Sequence, residues 1–318
     1  MTANPAVLVL SKQDDPQLKM LSGVPHIVGH TAGELRAAAK DAAVILYWSG
    51  SRAELRTLFL ETPGVRWVHS RAAGLDKTLF PELVESDVSL TNGSGVFSQS
   101  LGEFALAMVL YFAKDFARTL RNQRAAHWQE FEVDDIAGQT MGIVGYGDIG
   151  RACAQRAHAM GMHVLALKRH APEKPDPLID RFYRPEQLHA MLAQCDFVVV
   201  SAPLTNETHH MISDAQFAAM KRSAVLINIG RGPVVDQAAL VRALQAGTIR
   251  GAGLDVFEKE PLPQDDPLWK MENVFISPHS ADHTRDWLDR AMRFFLQQYE
   301  RFTKGEPLEN VVDKKLGY

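Results

Sequence analysis

Short apolar runs alternate with helix-length patterns along the whole chain, and this alternation is typical of an α/β protein with parallel sheets. In the first third of the sequence the apolar runs lie at residues 6–10, 43–48, 65–69 and 88–90. Helical patterns lie between them at residues 16–21, 32–39 and 52–60. Because the apolar runs are nearly continuous, we expect both faces of this sheet to be covered.

A long helix is predicted at residues 96–124, because Phe104, Met108, Tyr111, Phe112 and Phe116 recur at three- and four-residue spacings. A second series of strands is predicted after it, at residues 140–144, 163–167, 197–200, 224–229, 253–257 and 274–277. Asp236 and Gly247 are placed to begin and end a helix, and a last helix is predicted at residues 284–303. The pattern therefore predicts two α/β modules joined by long helices.

The composition is that of a globular protein of about two domains. Of the 318 residues, 46% are hydrophobic and 23% are charged, and a net charge of −4 without a basic run argues against a nucleic-acid partner. Cys153 and Cys195 lack metal-binding spacing, so neither a disulfide framework nor a metal site is predicted. The apolar runs are too short for a membrane helix and the first residues show no secretory pattern, so we expect a cytoplasmic protein with no membrane partner.

A glycine-rich turn follows the strand predicted at residues 140–144. Its sequence is GYGDIG, in which Gly145, Gly147 and Gly150 have the spacing of a dinucleotide-binding turn, and a helix (149–160) and a second strand are predicted directly after it. The first glycine permits the tight turn, the second lets the backbone approach a pyrophosphate, and the third lets the helix pack on the strand. The N–H groups at the start of the helix would bind the phosphates. This segment predicts a dinucleotide site.

The end of the second strand of this module indicates which dinucleotide is preferred. Proteins that bind NAD place Asp or Glu there to accept a hydrogen bond from the ribose 2′-hydroxyl. This chain has Lys168, Arg169 and His170 instead, and no carboxylate before Glu173. Arg169 can bind a 2′-phosphate through two N–H groups, whereas a carboxylate would repel it. NADP(H) is therefore expected to be preferred and NAD(H) to be possible, unless these residues form only a solvated basic loop.

Three ionisable residues follow three strands of the second module. Arg231 lies in NIGRG, Glu260 in DVFEKEP and His279 in SPHS. Because the carboxyl ends of parallel strands meet at the edge of the sheet where ligands bind, the three side chains could converge there. His279 could donate a proton to a ketone, Glu260 could fix its tautomer and stabilise the protonated ring, and Arg231 could hold a substrate carboxylate. Taken singly, each could instead be an ordinary surface or structural residue.

Five motifs in the same order resemble those of the D-isomer-specific 2-hydroxyacid dehydrogenases. They are GYGDIG at 145–150, PLTNET at 203–208, NIGRG at 228–232, GLDVFEKEP at 253–261 and NVFISPH at 273–279. The separations of 29 residues from Arg231 to Glu260 and 19 residues from Glu260 to His279 are part of the likeness. The resemblance extends over most of the chain and implies an oxidoreductase that reduces a small 2-oxo acid, such as glyoxylate or hydroxypyruvate, to the D-2-hydroxy acid.

The same resemblance implies a role for each matched residue. His279 would be the catalytic proton donor, Glu260 its partner and Arg231 the cation that binds the substrate. Asp148 and Ile149 would lie over the pyrophosphate, the loop 203–208 over the adenosine, and Asp255 beside the nicotinamide carboxamide. The cofactor-binding residues implied besides the three glycines are Asp148, Ile149, Lys168, Arg169, His170, Pro203, Thr208, Ile229, Gly230, Arg231, Asp255 and His279.

The resemblance also implies how the domains are arranged along the chain. Residues 1–96 and 285–318 would form a discontinuous, flavodoxin-like substrate domain, and residues 97–284 a Rossmann cofactor domain inserted into it, both with parallel sheets. The long helices would form the two hinge crossings, and the cleft would close on substrate. A homodimer with the cofactor domains and long helices in contact is also implied.

The substrate carboxylate is expected at the loop SRAAGLD (70–76), which resembles the family loop that binds this group through backbone N–H donors. Ala73 and Gly74 are small enough for an anion to approach closely, although an ordinary turn is the alternative. Trp48 ends another strand at the same edge and either lines the pocket or belongs to the core. His69, directly before the loop, and Arg71, within it, are expected to be solvated charges.

A nucleotide-sensing corepressor is the alternative from a different class of protein. Such a protein shares this fold and can keep the three ionisable residues. Turnover of NADPH, as opposed to binding alone, would separate the two hypotheses.

Overall fold

The computed structural model describes residues 5–170 and 174–318, so that Glu173 lies outside the described residues. The chain divides into two compact units, one formed by residues up to Phe97 together with Arg285–Tyr318, and the other by Ser98–Thr284. The first boundary predicted from the sequence lies one residue earlier. Both units are α/β with parallel sheets, and the predicted fold class is confirmed.

The first unit is built on a sheet of five parallel strands. In chain order its elements are β1 (Ala6–Leu10), β2 (His26–Gly29), α1 (Ala32–Leu35), β3 (Ala42–Tyr47), α2 (Arg52–Glu61), β4 (Trp67–Ser70), α3 (Pro81–Val84) and β5 (Ser89–Thr91), with 3-10 helices at Pro16–Leu21 and Arg36–Asp41. The strand order is β2-β1-β3-β4-β5. This is the order of flavodoxin-like sheets, which bind ligands at the carboxyl ends of their strands.

The second unit is built on a sheet of seven parallel strands in the order β12-β11-β10-β9-β6-β7-β8. Its elements are α4 (Ser98–Ala113), α5 (Phe116–Arg124), β6 (Thr140–Val144), α6 (Asp148–Ala159), β7 (His163–Leu167), β8 (Arg181–Tyr183), α7 (Leu188–Leu192), β9 (Phe197–Val200), α8 (Asp214–Ala219), β10 (Val225–Asn228), α9 (Gln237–Gln245), β11 (Gly251–Leu254) and β12 (Val274–Ile276). The order reverses between β9 and β6, as in Rossmann sheets. The final helix, α10 (Trp287–Lys304), belongs to the first unit.

The single helix predicted at residues 96–124 is wrong, because the structure has two helices there. Asp115 lies between α4 and α5 in the left-handed conformation, with φ of 48°, and its side chain accepts a hydrogen bond from the N–H of Arg118. An aspartate that caps a new helix in this way stops the preceding one, which the apolar spacing does not reveal.

Two short strands, β2 and β8, were not predicted, and β11 begins earlier than expected. The strand includes Gly251 and Gly253, and α4 packs directly on both of them. A Cβ at Gly251 would lie 2.7 Å from the ring of Phe112, and one at Gly253 would lie 3.0 Å from Cγ of Met108. Glycine is unfavourable inside a strand, but at these two positions the missing side chain leaves room for α4.

His69 does not belong to a solvated charged pair, contrary to the expectation from the sequence. It is 1% exposed in β4, and its Nδ1 lies 2.7 Å from the hydroxyl of Thr91, which also accepts from the indole N–H of Trp67. The rings of Phe294 and Phe295 lie within 6 Å of the imidazole. Burial lowers the pKa of His69 to about 3, so the folded protein holds this ring neutral.

We therefore expect the protein to lose stability as the pH falls below about 6.5, the ordinary histidine pKa. Because the folded-state pKa lies below the unfolded value, only the unfolded state gains a proton between these values, which lowers the free energy of unfolding by about 2 kcal/mol from pH 7 to pH 5. Urea unfolding of the wild type and His69→Asn at the two pH values measures this contribution. His163→Asn, at an exposed histidine, is the control and should retain the full pH dependence of the wild type. If the free energy of unfolding of His69→Asn depended on pH as strongly as that of the wild type, His69 would not be the cause.

Candidate active site

The glycine turn joins β6 to α6 in the second unit. Gly145 has a φ of +97°, and a Cβ there would lie 2.5 Å from the backbone of Ala202, so only glycine fits. A Cβ at Gly150 would lie 2.5 Å from the carbonyl oxygen of Gly145, which shows how closely α6 packs on the turn. At Gly147, by contrast, a Cβ would meet nothing within 4 Å. The three glycines thus have the geometry expected of a turn that lets a ligand approach at its second glycine.

The N-terminus of α6 lies directly after this turn. The helix has 12 residues and begins at Asp148, so its first N–H groups and the positive end of its dipole are at the turn. The turn also follows β6, at the point where the strand order reverses. The residues present therefore fit the pyrophosphate of a dinucleotide. Individual contacts of Asp148 and Ile149 with it stay predictions.

The residues after β7 lie near the same turn. The Nζ of Lys168 is 6.0 Å from the centre of the Tyr146 ring, and Lys168 and His170 are exposed. Arg169 forms an ion pair with Glu207. Glu207 follows β9 and not β7, so the residues at the end of β7 gave no indication of this carboxylate. Because β7 and β9 both pair with β6, the segments that follow them lie on either side of the glycine turn.

The loop 203–208 after β9 is closed by its own polar groups. The hydroxyl of Thr208 donates to the carbonyl oxygen of Pro203 at 2.6 Å and accepts from the N–H of Thr205 at 2.8 Å. Thr208 is buried, so its hydroxyl fixes the shape of the loop, whereas Pro203 is exposed. Contact of Pro203 and Thr208 with the adenosine stays a prediction.

The structure brings His279 and Glu260 together. Nδ1 of His279 lies 2.8 Å from Oε2 of Glu260, and Oε1 of Glu260 accepts from the N–H of Phe257 at 3.1 Å. Because the carboxylate engages Nδ1, Nε2 is the nitrogen that can give a proton to a ligand. The two side chains are 43% and 32% exposed, so a ligand can reach them.

Asp255 holds the loop that contains His279. Its carboxylate is 1% exposed and accepts from the N–H groups of Ser280 at 3.0 Å and Ala281 at 3.2 Å, while its carbonyl oxygen accepts from the N–H of His279 at 2.8 Å. These bonds fix His279 in the left-handed conformation, with φ of 52°. Contact of Asp255 with the nicotinamide carboxamide stays a prediction.

Arg231 lies in a turn that is held against the loop of Glu260. The side chain of Asn228 closes the turn by bonding the carbonyl oxygen of Arg231 and the N–H of Gly230, both at 3.2 Å. A Cβ at Gly232 would lie 1.9 Å from the backbone of Phe257, so the loops after β10 and β11 meet where only glycine fits. Ile229 is buried beside this turn. The structure therefore places Arg231 and Glu260 on adjoining loops, because β10 and β11 are neighbouring strands. Contacts of Ile229, Gly230 and Arg231 with the cofactor stay predictions.

The predicted substrate loop lies in the first unit, after β4. The amide of Asn92 donates to the carbonyl oxygen of Ala73 at 2.7 Å and so holds the loop. Arg71 is not a solvated charge, because its guanidinium carbon lies 5.2 Å from the ring centres of both Trp48 and Trp287. Anion binding at Ala73 and Gly74 stays a prediction.

The two alternatives for Trp48 are separated only in part. Its side chain is 2% exposed, and its indole N–H donates to Asp15 at 2.8 Å. This burial favours a role of Trp48 in the core. Direct contact of Trp48 with substrate stays a prediction.

One group of three potential metal ligands lies within the described residues, although no metal site was predicted. The ligand atoms of His210, Asp236 and Glu258 lie within 4.8 Å of one another. Each has a partner in the protein: His210 bonds Glu258 at 2.8 Å, Glu258 accepts from the N–H of Gln237, and Asp236 caps α9. Hydrogen bonds within the protein therefore explain why the three side chains lie close together.

The chain matches the family model described as D-isomer specific 2-hydroxyacid dehydrogenase, NAD binding domain, over residues 106–281. It is 37% identical to a glyoxylate reductase of Korarchaeum cryptofilum over 87% of this chain and 83% of that protein. It is 40% identical to a glyoxylate/hydroxypyruvate reductase B of Serratia proteamaculans over 80% of this chain and 78% of that protein.

Solved structures extend the likeness over nearly the whole chain. A D-isomer specific 2-hydroxyacid dehydrogenase from Xanthobacter autotrophicus, in complex with NADPH and MES, is 31% identical with a TM-score of 0.84, covering 99% of this chain and 100% of that one. An NADPH-dependent glyoxylate/hydroxypyruvate reductase from Sinorhizobium meliloti, in complex with NADP and sulfate, is 27% identical with a TM-score of 0.85 and the same coverage.

The chain belongs to the D-isomer specific 2-hydroxyacid dehydrogenase family. It is accordingly an oxidoreductase, and its second unit is the domain type that binds a nicotinamide dinucleotide. Within residues 5–170 and 174–318, none of the helices combines the length and the apolar character that crossing a membrane requires.

Proposed function

We propose that this chain reduces a small 2-oxo acid, such as glyoxylate or hydroxypyruvate, to the D-2-hydroxy acid with NADPH, and that His279 donates the proton. The observation that most strongly supports this proposal is the 2.8 Å contact between His279 and Glu260, on a loop adjoining that of Arg231. The names of the relatives from Korarchaeum cryptofilum and Serratia proteamaculans support the choice of substrates.

Each residue would perform a separate part of the reduction. A nicotinamide cofactor, when bound beside the glycine turn, would be the source of the hydride for the carbonyl carbon of the substrate. His279 gives the proton on Nε2 to the carbonyl oxygen, while Glu260 holds Nδ1 of the ring and Asp255 holds the loop in place. Arg231 binds the substrate carboxylate and polarises the neighbouring carbonyl group. The backbone N–H groups of the loop 70–76 are also proposed to bind a carboxylate.

The proposal is tested by following oxidation of NADPH, and separately of NADH, at 340 nm with glyoxylate, hydroxypyruvate, pyruvate and phenylpyruvate. We expect turnover of one or more of the smaller acids, faster with NADPH. Tight binding of NADPH without turnover of any of the four would favour the corepressor alternative instead. Chiral analysis of the hydroxypyruvate product tests the D configuration.

Arg169→Ala is expected to lower the ratio of kcat/KM with NADPH to kcat/KM with NADH by about tenfold or more. The reason is that one charge-assisted hydrogen bond to the 2′-phosphate contributes about 1.5–3 kcal/mol. Lys168→Ala, which removes a neighbouring exposed charge, is the comparison. A specific contact of Arg169 predicts a larger change in Arg169→Ala than in Lys168→Ala, whereas a general positive potential predicts similar changes in both. An unchanged ratio in Arg169→Ala would place the selection of the phosphate elsewhere.

We also propose that the chain forms a homodimer through an apolar surface on α5 and the segment after it. Phe116 and Leu120, one turn apart on α5, are both exposed, and none of the residues of α5 is buried. The following segment returns along the helix, where Phe131 packs on Arg118, and it exposes Trp128 at 92%. Exposed aromatic and aliphatic residues so close together are typical of a protein–protein interface.

Leu120→Glu is expected to convert the dimer to a monomer, because a carboxylate buried without a partner opposes association. Sedimentation equilibrium or light scattering after gel filtration measures the mass. The matched control is Leu60→Glu, at an exposed leucine of α2 in the other unit, which should remain dimeric. A dimeric Leu120→Glu protein would exclude this surface as the interface.

A further inference from the structure

The ion pair between Arg169 and Glu207 joins two segments on either side of the glycine turn. Arg169 follows β7 and Glu207 belongs to the loop after β9, and their side chains are 32% and 71% exposed. Both positions are fixed by the backbone around them. The N–H of Lys168 bonds the carbonyl oxygen of Tyr183 at 3.0 Å, and the hydroxyl of Thr208 closes the loop of Glu207. The contact therefore joins two well-defined backbone positions.

Glu207 supplies the carboxylate that the end of β7 lacks. A 2′-phosphate and a carboxylate bind a guanidinium in the same way, through two N–H groups to two oxygens. Arg169 is therefore engaged by an anion of the protein before any cofactor phosphate arrives. When the phosphate binds, the carboxylate must either give up part of its contact or lie next to a second anion. Both effects weaken the binding of NADPH and leave the binding of NADH unaffected.

We propose that Glu207 is a specificity-determining residue that competes with the 2′-phosphate of NADPH for Arg169 and so weakens the preference for NADPH over NADH. This proposal rests on the proposed function, in which Arg169 binds the 2′-phosphate. It implies that the preference for NADPH over NADH is smaller than the basic residues at the end of β7 alone would produce. The preference is then set by residues from two strands, and not by the end of β7 alone.

The expected effect is modest, because both side chains are partly exposed to solvent. An exposed ion pair contributes up to about 1 kcal/mol, which corresponds to about fivefold in affinity. Glu207→Gln should therefore lower the Kd for NADPH by about two- to fivefold and leave the Kd for NADH unchanged. The difference should shrink as the salt concentration rises, because screening weakens both the ion pair and the repulsion.

The experiment is titration of the intact protein with NADPH and with NADH, without substrate, followed by nucleotide fluorescence. Four proteins form a cycle: the wild type, Glu207→Gln, Arg169→Ala and the double variant. Tighter NADPH binding in Glu207→Gln that disappears in the Arg169→Ala background supports competition for Arg169. Glu186→Gln, an exposed carboxylate just after β8, makes the same change in net charge and should leave both constants as they are.

The proposal is overturned if Glu207→Gln leaves NADPH binding unchanged, if it weakens NADPH binding, or if it alters both nucleotides equally. Weaker NADPH binding would mean that Glu207 orients Arg169 for the phosphate instead of competing with it. If Arg169→Ala weakens NADPH while Glu207→Gln has no effect, only this inference fails. If Arg169→Ala affects neither nucleotide, the role of Arg169 in the proposed function fails as well.

Discussion

Replacement of His279 by Ala or Asn is expected to lower kcat by about 10²–10⁴ while the affinity for NADPH stays nearly unchanged, as the loss of a general acid implies. The contact of Nδ1 with Glu260 at 2.8 Å leaves Nε2 as the proton donor, and neither replacement can supply that proton. Hydride transfer would then place negative charge on the carbonyl oxygen without neutralising it. The effect should therefore appear in the chemical step, which single-turnover measurements isolate.

The backbone of His279 decides which replacement gives the cleaner result. Its φ of 52° lies in the left-handed region, where asparagine is tolerated much better than alanine. His279→Ala could thus lose activity partly by moving the loop that Asp255 holds, whereas His279→Asn preserves the conformation. The two variants should have similar kcat values if the lost proton is the cause.

The control is His158→Asn, at an exposed histidine near the end of α6, which should retain wild-type turnover. Binding of NADPH to His279→Asn, measured by fluorescence, separates loss of chemistry from loss of the cofactor site. Turnover within about threefold of the wild type in His279→Asn would remove His279 from the mechanism.

The sequence predicts the fold well where one strand or helix has a strong local signal. Strands such as β1, β3 and β9 are continuous apolar runs, and the glycine turn is identified by its spacing together with the strand before it and the helix after it. The break at Asp115 has no comparable signal, because Phe104, Met108 and Phe112 continue the helical spacing up to it. Strands β2 (HIVG) and β8 (RFY) have apolar runs of only two residues, whereas the equally short β9 (FVVV) and β12 (VFI) are apolar throughout.

The candidate site shows the same division between local and distant signals. Arg231, Glu260 and His279 each follow a strand in a recognisable motif, so the sequence could place them at one edge of the sheet. Glu207 also lies in a recognisable motif, but its partner Arg169 is 38 residues away along the chain. Only the pairing of both β7 and β9 with β6 brings the two together. A contact of this kind depends on the strand order, which residue spacing does not contain.

Replacement of Arg231 by Ala is expected to raise KM for the 2-oxo acid and to lower kcat, with a loss of at least about 100-fold in kcat/KM. Two charge-assisted hydrogen bonds to the carboxylate, each of about 1.5–3 kcal/mol, account for this magnitude. Both parameters should change, because the guanidinium binds the substrate and also polarises the carbonyl in the transition state. The turn itself should survive, since Asn228 closes it through backbone groups and Gly232 fits it against Phe257.

The planar fork of Arg231, and not merely its charge, is the feature that binds the carboxylate, so Arg231→Lys should recover only part of the lost activity. Added guanidinium ion should restore turnover to Arg231→Ala more than to Arg231→Lys, because only the alanine variant leaves space for it. Arg242→Ala removes an arginine of α9 that is paired with Asp214 at the surface, and it should behave as the wild type. If Arg231→Ala changed neither KM nor kcat, the substrate carboxylate would have to be held by other groups, and the N–H donors of the loop 70–76 would be the next to test.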